Sequence, residues 1–67
     1  MKWNDINSTY PEQNTRCLVL HRGWLRILTW DAYYKCWDDE EEDDYFCDKE
    51  NVEKWITLDE IESNIND

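Results

Sequence analysis

The densest apolar pattern of the chain flanks its single glycine. Residues 16–21 are largely apolar on both alternating faces, and residues 24–30 repeat this pattern, so each segment predicts a β-strand. Arg22 and Gly23 between them fit a two-residue hairpin turn, because glycine readily adopts the positive φ angle that such turns require. The pattern therefore predicts an antiparallel hairpin with two apolar faces, of which one can pack on a helix and the other needs a cover or a partner.

Weaker patterns before and after this hairpin predict the other elements. Trp3 and Ile6 have the spacing of one helical turn docked on a sheet, and Pro11 is expected to end any such turn. Short apolar stretches predict further strand segments at residues 33–37, which follow a bend near 31–32, at 45–47 and at 52–56.

The end of the sequence carries the signals of a helix start. Thr57 is followed three residues later by Glu60, which is the arrangement of a capping box. Leu58, Ile61 and Ile65 fall on one helical stripe. We therefore predict an α+β fold: a small antiparallel β-meander of three or four strands with an N-terminal turn and a short C-terminal helix.

The length and the aromatic content constrain the core. A chain of 67 residues forms a single domain, 1–67, and buries only about 60% of its unfolded surface, so its core needs large side chains. Five Trp, four Tyr and one Phe supply them, and they exceed what so small a core can hide. We expect a protein-binding surface, or the seam of a homodimer, on the aromatic hairpin, because Trp and Tyr dominate interface hot spots. Its candidate residues are Trp24, Trp30, Tyr33 and Tyr34.

Seventeen acidic residues against seven basic ones give the chain a formal charge of −10. Such a field repels nucleic acid and anionic membranes and attracts basic proteins. An unbroken acidic run cannot be buried, so we predict a solvated acidic loop over 38–44. One role for this run is to keep the chain in solution. Another is to mimic nucleic-acid phosphates and so bind the basic groove of another protein. A calcium-binding loop is a third alternative, but the run lacks the glycine that such a loop needs for its sharp turn. The candidate contact residues are Asp38, Asp39, Glu40, Glu41, Glu42, Asp43 and Asp44, with Asp59, Glu60 and Glu62 of the helix.

Three cysteines and one histidine bear on metal and redox chemistry. The odd number of cysteines favours reduced, buried thiols over a disulfide framework. Cys17, His21, Cys36 and Cys47 form a candidate Cys3His zinc set, but Cys17 and His21 would stand about 13 Å apart along a strand. We expect no metal and no cofactor. A single histidine and too few residues to shape a pocket of about 300 Å³ lead us to expect no enzyme activity.

The apolar and aromatic residues expected in the core, and the proline and glycine expected in turns, follow a distinctive order over residues 3–58. They are Trp3 and Ile6, Tyr10-Pro11, Cys17-Leu18-Val19, Gly23, Ala32-Tyr33-Tyr34, Trp37, and then Val52, Trp55 and Leu58. This order resembles a family of small phage and prophage proteins, the domain of unknown function number 551. The chain departs from that family in lacking a proline after Leu58, in its acidic run, and in an acidic helix where the family has a proline-rich end. The resemblance implies a phage origin and a small sheet with a helix, and it lends no activity.

Together these features lead to an expected function. We expect a phage-encoded acidic protein that inhibits a basic host protein, either a nuclease or another nucleic-acid-binding or defence protein, by DNA-mimic-like charge. The alternative is a structural or assembly protein that acts through its aromatic surface, as a homodimer or as a phage-particle component. The chain has no apolar stretch of roughly 18 residues and no signal-peptide pattern, so we expect it in the bacterial cytoplasm, without a membrane partner.

Overall fold

A computed structural model of the chain describes residues 2–39 and 44–66. Within these residues the protein folds into one six-stranded antiparallel sheet and one helix. The elements are β1 (Asn4–Asp5), β2 (Arg16–His21), β3 (Trp24–Asp31), β4 (Cys36–Asp39), β5 (Asp44–Asp48), a 3-10 helix (Lys49–Asn51), β6 (Val52–Thr57) and α1 (Leu58–Asn66). The strand order across the sheet is β1-β6-β2-β3-β4-β5. The α+β class is confirmed, and the sheet has more strands than the three or four predicted.

The central hairpin has the predicted form. β2 spans 16–21 as expected, and β3 is one residue longer than its prediction. Arg22 and Gly23 have φ angles of 51° and 82°, and positive values at both central residues define the type I′ turn that suits the twist of a hairpin. The pairing runs without a shift from Arg16↔Thr29 to His21↔Trp24.

The extra strands come from residues without an apolar alternation. The turn predicted at Trp3 and Ile6 is wrong in position, because Asn4–Asp5 pairs with β6 and the turn follows at residues 6–8. The strand predicted at 33–37 is also displaced: residues 32–35 form a turn, and β4 begins at Cys36. β4 and β5 then extend into acidic positions that a hydrophobic pattern assigns to a loop.

The core lies on one face of the sheet and is centred on two indoles. Trp30 and Trp37 face each other across β3 and β4, with ring centroids 4.9 Å apart at 61°. Trp30 is only 1% exposed, so its predicted place on the aromatic surface is wrong. Trp24 and Trp30 lie on the same face of β3, because side chains alternate along a strand. β4 pairs with β3 only from Leu28 to Asp31, so Trp30 has side chains of β4 beside it and Trp24 does not. The residues packed in this core are Ile6, Cys17, Val19, Leu28, Trp30, Trp37, Cys47, Val52 and Trp55.

A bulge in β5 closes the core at its edge. The register passes from Trp37↔Cys47 to Asp38↔Tyr45, which leaves Phe46 as the extra residue. Phe46 packs against the core and meets the His21 ring edge-on at 5.2 Å. His21 belongs to β2 and Phe46 to β5, three strands further along the sheet, so this contact requires the sheet to curl over its core.

The helix begins as the capping pattern predicts. The Thr57 Oγ1 accepts a hydrogen bond from the Glu60 amide at 3.1 Å, which satisfies one of the free N–H groups of the first turn. α1 packs against β6 and β2, where it covers Ile56 on the face opposite the main core. Leu58 and Ile61 are half-buried, whereas Ile65, the last residue of the predicted stripe, is 74% exposed.

We predict that Trp37→Ala removes a large part of the free energy of unfolding. Removal of a buried Trp costs about 3–5 kcal/mol, and a domain of this length has a total stability of only about 3–10 kcal/mol. Thermal denaturation followed by near-UV circular dichroism measures the effect. Trp24→Ala is the matched control, since Trp24 is 73% exposed and its loss is expected to change stability by about 0.5 kcal/mol or less. Equal destabilisation by the two variants would contradict the placement of the core.

Candidate protein-binding surfaces

The acidic run lies at the junction of β4 and β5. Asp38 and Asp39 belong to β4 and are half-buried, and Asp44 is the first residue of β5. The prediction of a solvated loop over the whole of 38–44 is therefore wrong at both ends. Its middle, Glu40, Glu41, Glu42 and Asp43, lies outside the described residues.

The strand register relates this run to the helix. One row across the sheet joins Asp44↔Asp39, Asp39↔Leu28, Leu28↔Cys17 and Cys17↔Thr57. Four strand spacings of about 4.8 Å separate the two ends of the row, so Asp44 and Thr57 lie at most about 19 Å apart along the sheet. α1 starts directly after Thr57. Asp39 and Asp44 of the acidic run thus lie in the same row of the sheet as Thr57, which directly precedes the acidic helix.

Arg16 lies between the two acidic segments. A groove of about 330 Å³ is lined by Arg16, Asp59 and Glu62, together with Asn14, Thr15 and Leu58. A second groove, of about 590 Å³, is lined by two arginines, one aspartate and four aliphatic residues: Arg16, Arg26, Asp39, Leu18, Leu25, Ile27 and Leu28. We call Asp38, Asp39, Asp59, Glu60 and Glu62 the acidic surface; its helical members are exposed. Carboxylates of β4 and of α1 thus line the two grooves that share Arg16.

The exposed aromatics do not form one continuous surface. Trp24 is the first residue of β3, whereas Tyr33 and Tyr34 follow its end, and the eight-residue strand between them is about 23 Å long. Tyr33 is 81% and Tyr34 is 73% exposed. With Trp30 buried, the predicted aromatic hairpin surface is divided into two sites.

Hydrogen bonds hold the tyrosine turn in place. The Asp31 Oδ1 accepts from the amides of Tyr33 at 2.9 Å and Tyr34 at 3.2 Å, and the Gln13 Oε1 accepts from the Ala32 amide at 2.6 Å. The two tyrosine rings meet edge to face with centroids 4.7 Å apart. The turn therefore presents both rings at little further ordering cost to a partner.

Sequence reasoning did not identify a cationic site around Tyr10. The Tyr10 ring stacks on Trp30 at 5.5 Å, and the ammonium groups of Lys35 and Lys49 lie 5.4 and 5.3 Å from its centroid. Lys49 also donates to the Tyr10 hydroxyl at 3.1 Å, and this hydrogen bond raises the pKa of Lys49. These residues are far apart in sequence, so no local pattern could have grouped them.

The candidate zinc set is not brought together. Cys17 and His21 occupy opposite ends of β2, and His21 contacts Phe46 instead. Among the described residues one set of ligand atoms does lie within 4.8 Å of one another: Asp31, Cys36 and Asp38. Hydrogen bonds already account for that set, because Asp31 caps the tyrosine turn and the Cys36 Sγ donates to the Asp38 Oδ1 at 3.8 Å. We therefore assign no metal to it.

The three thiols are free, buried and chemically quiet. Burial raises the pKa of Cys17 from 9.0 to about 12 and is the main cause that raises the pKa of Cys47 to about 11. Burial and the neighbouring carboxylates of Asp38 and Asp31 also raise the pKa of Cys36. A nucleophilic cysteine needs a lowered pKa, so these residues fit packing rather than catalysis.

No protein-family model, no curated protein and no solved structure matches this chain. In the part of the chain that the structure describes, α1 has neither the length nor the apolar character needed to cross a membrane.

We predict that the free energy of unfolding falls as the pH rises from 9 to 12. The unfolded chain loses the Cys17 proton near pH 9.0, whereas the folded chain holds it to about 12, so the stabilisation is complete below pH 9 and is lost above it. Urea unfolding at several pH values measures the slope. In Cys17→Ala the slope is expected to be shallower; an unchanged slope would mean that Cys17 titrates alike in both states.

Proposed function

We propose that this protein binds a basic surface of another protein through the acidic surface and the carboxylates of the adjoining β4–β5 connection. The observation that carries the proposal is the row from Asp44 to Thr57, which places Asp39 and Asp44 of the acidic run level with the start of α1. A target protein with two neighbouring groups of cationic side chains could then contact the acidic run and α1 at the same time.

The charge balance supports this kind of partner. A net charge of −10 speeds the encounter with a cationic surface and disfavours nucleic acid. The carboxylates of the acidic surface are attached to β4 and to the capped helix α1, so little further ordering of their backbone is needed on binding. Release of the cations held around the carboxylates would add to the affinity, as release of cations from nucleic acid does when a basic site binds phosphates.

A phage-encoded inhibitor in the cytoplasm of a bacterial host is the particular function that we propose. Its target would be a nuclease or another nucleic-acid-binding or defence protein whose groove normally receives phosphates. The order of core and turn residues shared with small phage proteins and the excess of seventeen acidic over seven basic residues support this choice.

The second candidate is a structural or assembly role through exposed aromatics. The fixed turn with Tyr33 and Tyr34 favours it, because preorganised tyrosines make efficient interface contacts. Binding of that kind is expected to respond little to salt, since it rests on packing rather than charge.

We predict that Asp59→Asn/Glu62→Gln weakens capture of basic proteins from bacterial lysate by about tenfold, which corresponds to a loss of about 1.4 kcal/mol. The matched control is Glu50→Gln/Glu53→Gln, which also removes two exposed charges from −10 and leaves −8. Immobilised protein is compared at about 50 and 300 mM NaCl, with mass spectrometry of the eluted proteins; the higher salt is expected to abolish capture.

Two results would contradict the proposal. Equal weakening by both variants would show that only net charge matters. Capture that persists unchanged at the higher salt would assign binding to the aromatic turn instead, and Tyr33→Ala/Tyr34→Ala would then remove it.

A further inference from the structure

The first half of β3 has a neighbouring strand on one side only. β2 pairs with β3 from Trp24 to Thr29, whereas β4 pairs with it only from Leu28 to Asp31. Within residues 2–39 and 44–66, no strand lies beside residues 24–27 on the side away from β2.

The backbone of this segment offers hydrogen-bonding groups to that open side. The Trp30 amide donates to the Thr15 carbonyl at 3.0 Å, and the Trp30 carbonyl accepts from the Asn14 amide at 2.9 Å, so Trp30 points its polar groups towards the β2 side. The β2–β3 register has no shift, and backbone groups alternate along an antiparallel strand. Leu25 and Ile27 therefore point their N–H and C=O groups away from β2, towards the open side.

The other two edges of the sheet are protected against further pairing. β1 has only two residues, and β5 carries the bulge at Phe46 and an aspartate at each end. Short length, bulges and charges are the usual means by which proteins block edge strands. The open half of β3 instead exposes Trp24 and Leu25, which are 73% and 61% exposed.

We propose that a second copy of this chain pairs with this edge, antiparallel and centred on Leu25. The two Leu25 residues would then face each other and exchange N–H and C=O groups, which is possible because both point outward. Trp24 of each copy would lie opposite Arg26 of the other, on the same face of the extended sheet. A guanidinium above an indole is a favourable cation–π pair.

Arg26 is already oriented for such a contact. Its guanidinium carbon lies 5.0 Å from the centroid of the Phe46 ring, and the residue is exposed. One face of the guanidinium thus lies over Phe46, and in the proposed dimer the indole of the second copy would stack on the other face.

The alternative symmetric registers are worse. Centring on Arg26 sets two guanidinium groups opposite each other, which is a like-charge pair. Centring on Ile27 requires Leu25 of one copy to pair with Thr29 of the other, and Thr29 already pairs with Asp38. Charge complementarity and free backbone groups therefore select the Leu25 register.

The dimer is expected to be weak and to tighten with salt. Four residues of edge make an interface well below the roughly 1,200–2,000 Å² of a stable complex, so association needs concentrations of about 0.1–1 mM. Two copies of charge −10 repel each other, and salt screens this repulsion. Binding to a basic protein has the opposite salt dependence, which separates the two processes.

Sedimentation equilibrium of the full chain at up to about 1 mM, in about 50 and 300 mM NaCl, tests the proposal. We expect a monomer–dimer equilibrium that is stronger at the higher salt. Trp24→Ala is expected to raise the dissociation constant by about tenfold, and Tyr34→Ala, whose side chain is equally exposed at 73%, is expected to leave it unchanged. Leu25→Pro is expected to abolish the dimer, because it removes the outward amide while the pairing with β2 is kept.

Hydrogen exchange supplies a readout that survives if Leu25→Pro fails to fold. In the unchanged chain, exchange of the Leu25 and Ile27 amides is expected to slow as the protein concentration rises. A chain that stays monomeric at about 1 mM and high salt would overturn the proposal and leave the edge to a strand of another protein. A dimer that forms equally well in Trp24→Ala, or without protection of these amides, would overturn it as well.

Discussion

The burial of Trp30 against Trp37 is the interaction on which the rest of the structure depends. Each indole removes roughly 150–250 Å² from water, which corresponds to about 4–6 kcal/mol at about 25 cal/mol per Å². Neither indole N–H has a hydrogen-bond partner among the described residues, and this costs about 1–3 kcal/mol for each group. The hydrophobic gain exceeds that cost. A domain of 67 residues has few other sources of comparable stabilisation, so its strands are arranged around this pair.

That arrangement explains why the sequence predicts some elements well and others badly. The β2–β3 hairpin and the start of α1 depend on local chemistry: a turn with positive φ at Arg22 and Gly23, and a threonine whose hydroxyl accepts from the Glu60 amide. Both were predicted correctly. β1 and the acidic ends of β4 and β5 have no local signal, because the sheet acquires them only when a neighbouring strand is already in place. The bulge at Phe46 has the same origin, since only the partner strand reveals an unpaired residue.

The candidate surfaces show the same division. Composition was enough to predict that some aromatic residues are exposed, but it could not decide which. Trp24 and Trp30 share one face of β3, but only Trp30 lies beside β4 and beneath the Tyr10 ring. The acidic residues are likewise evident in the sequence, whereas their relation to α1 depends on the register of four strand pairings across five strands. The pairing of Tyr10 with Lys35 and Lys49 depends on contacts between distant segments, which a single sequence does not reveal.

The two proposed associations are linked through charge. The basic residues Arg22 and Arg26 lie beside the open half of β3, whereas the acidic surface begins one strand away at Asp39 on β4 and, on the other side, two strands away at α1, which follows β6. A cationic partner on the acidic surface would lower the net charge of the complex and hence the repulsion between two copies. Since coupling between two binding events is reciprocal, dimerisation would then raise the affinity for the cationic partner by the same factor. Dimerisation through the edge of β3 therefore depends on the cationic partner. Two chains of charge −10 repel each other, whereas chains whose charge is neutralised by the partner do not.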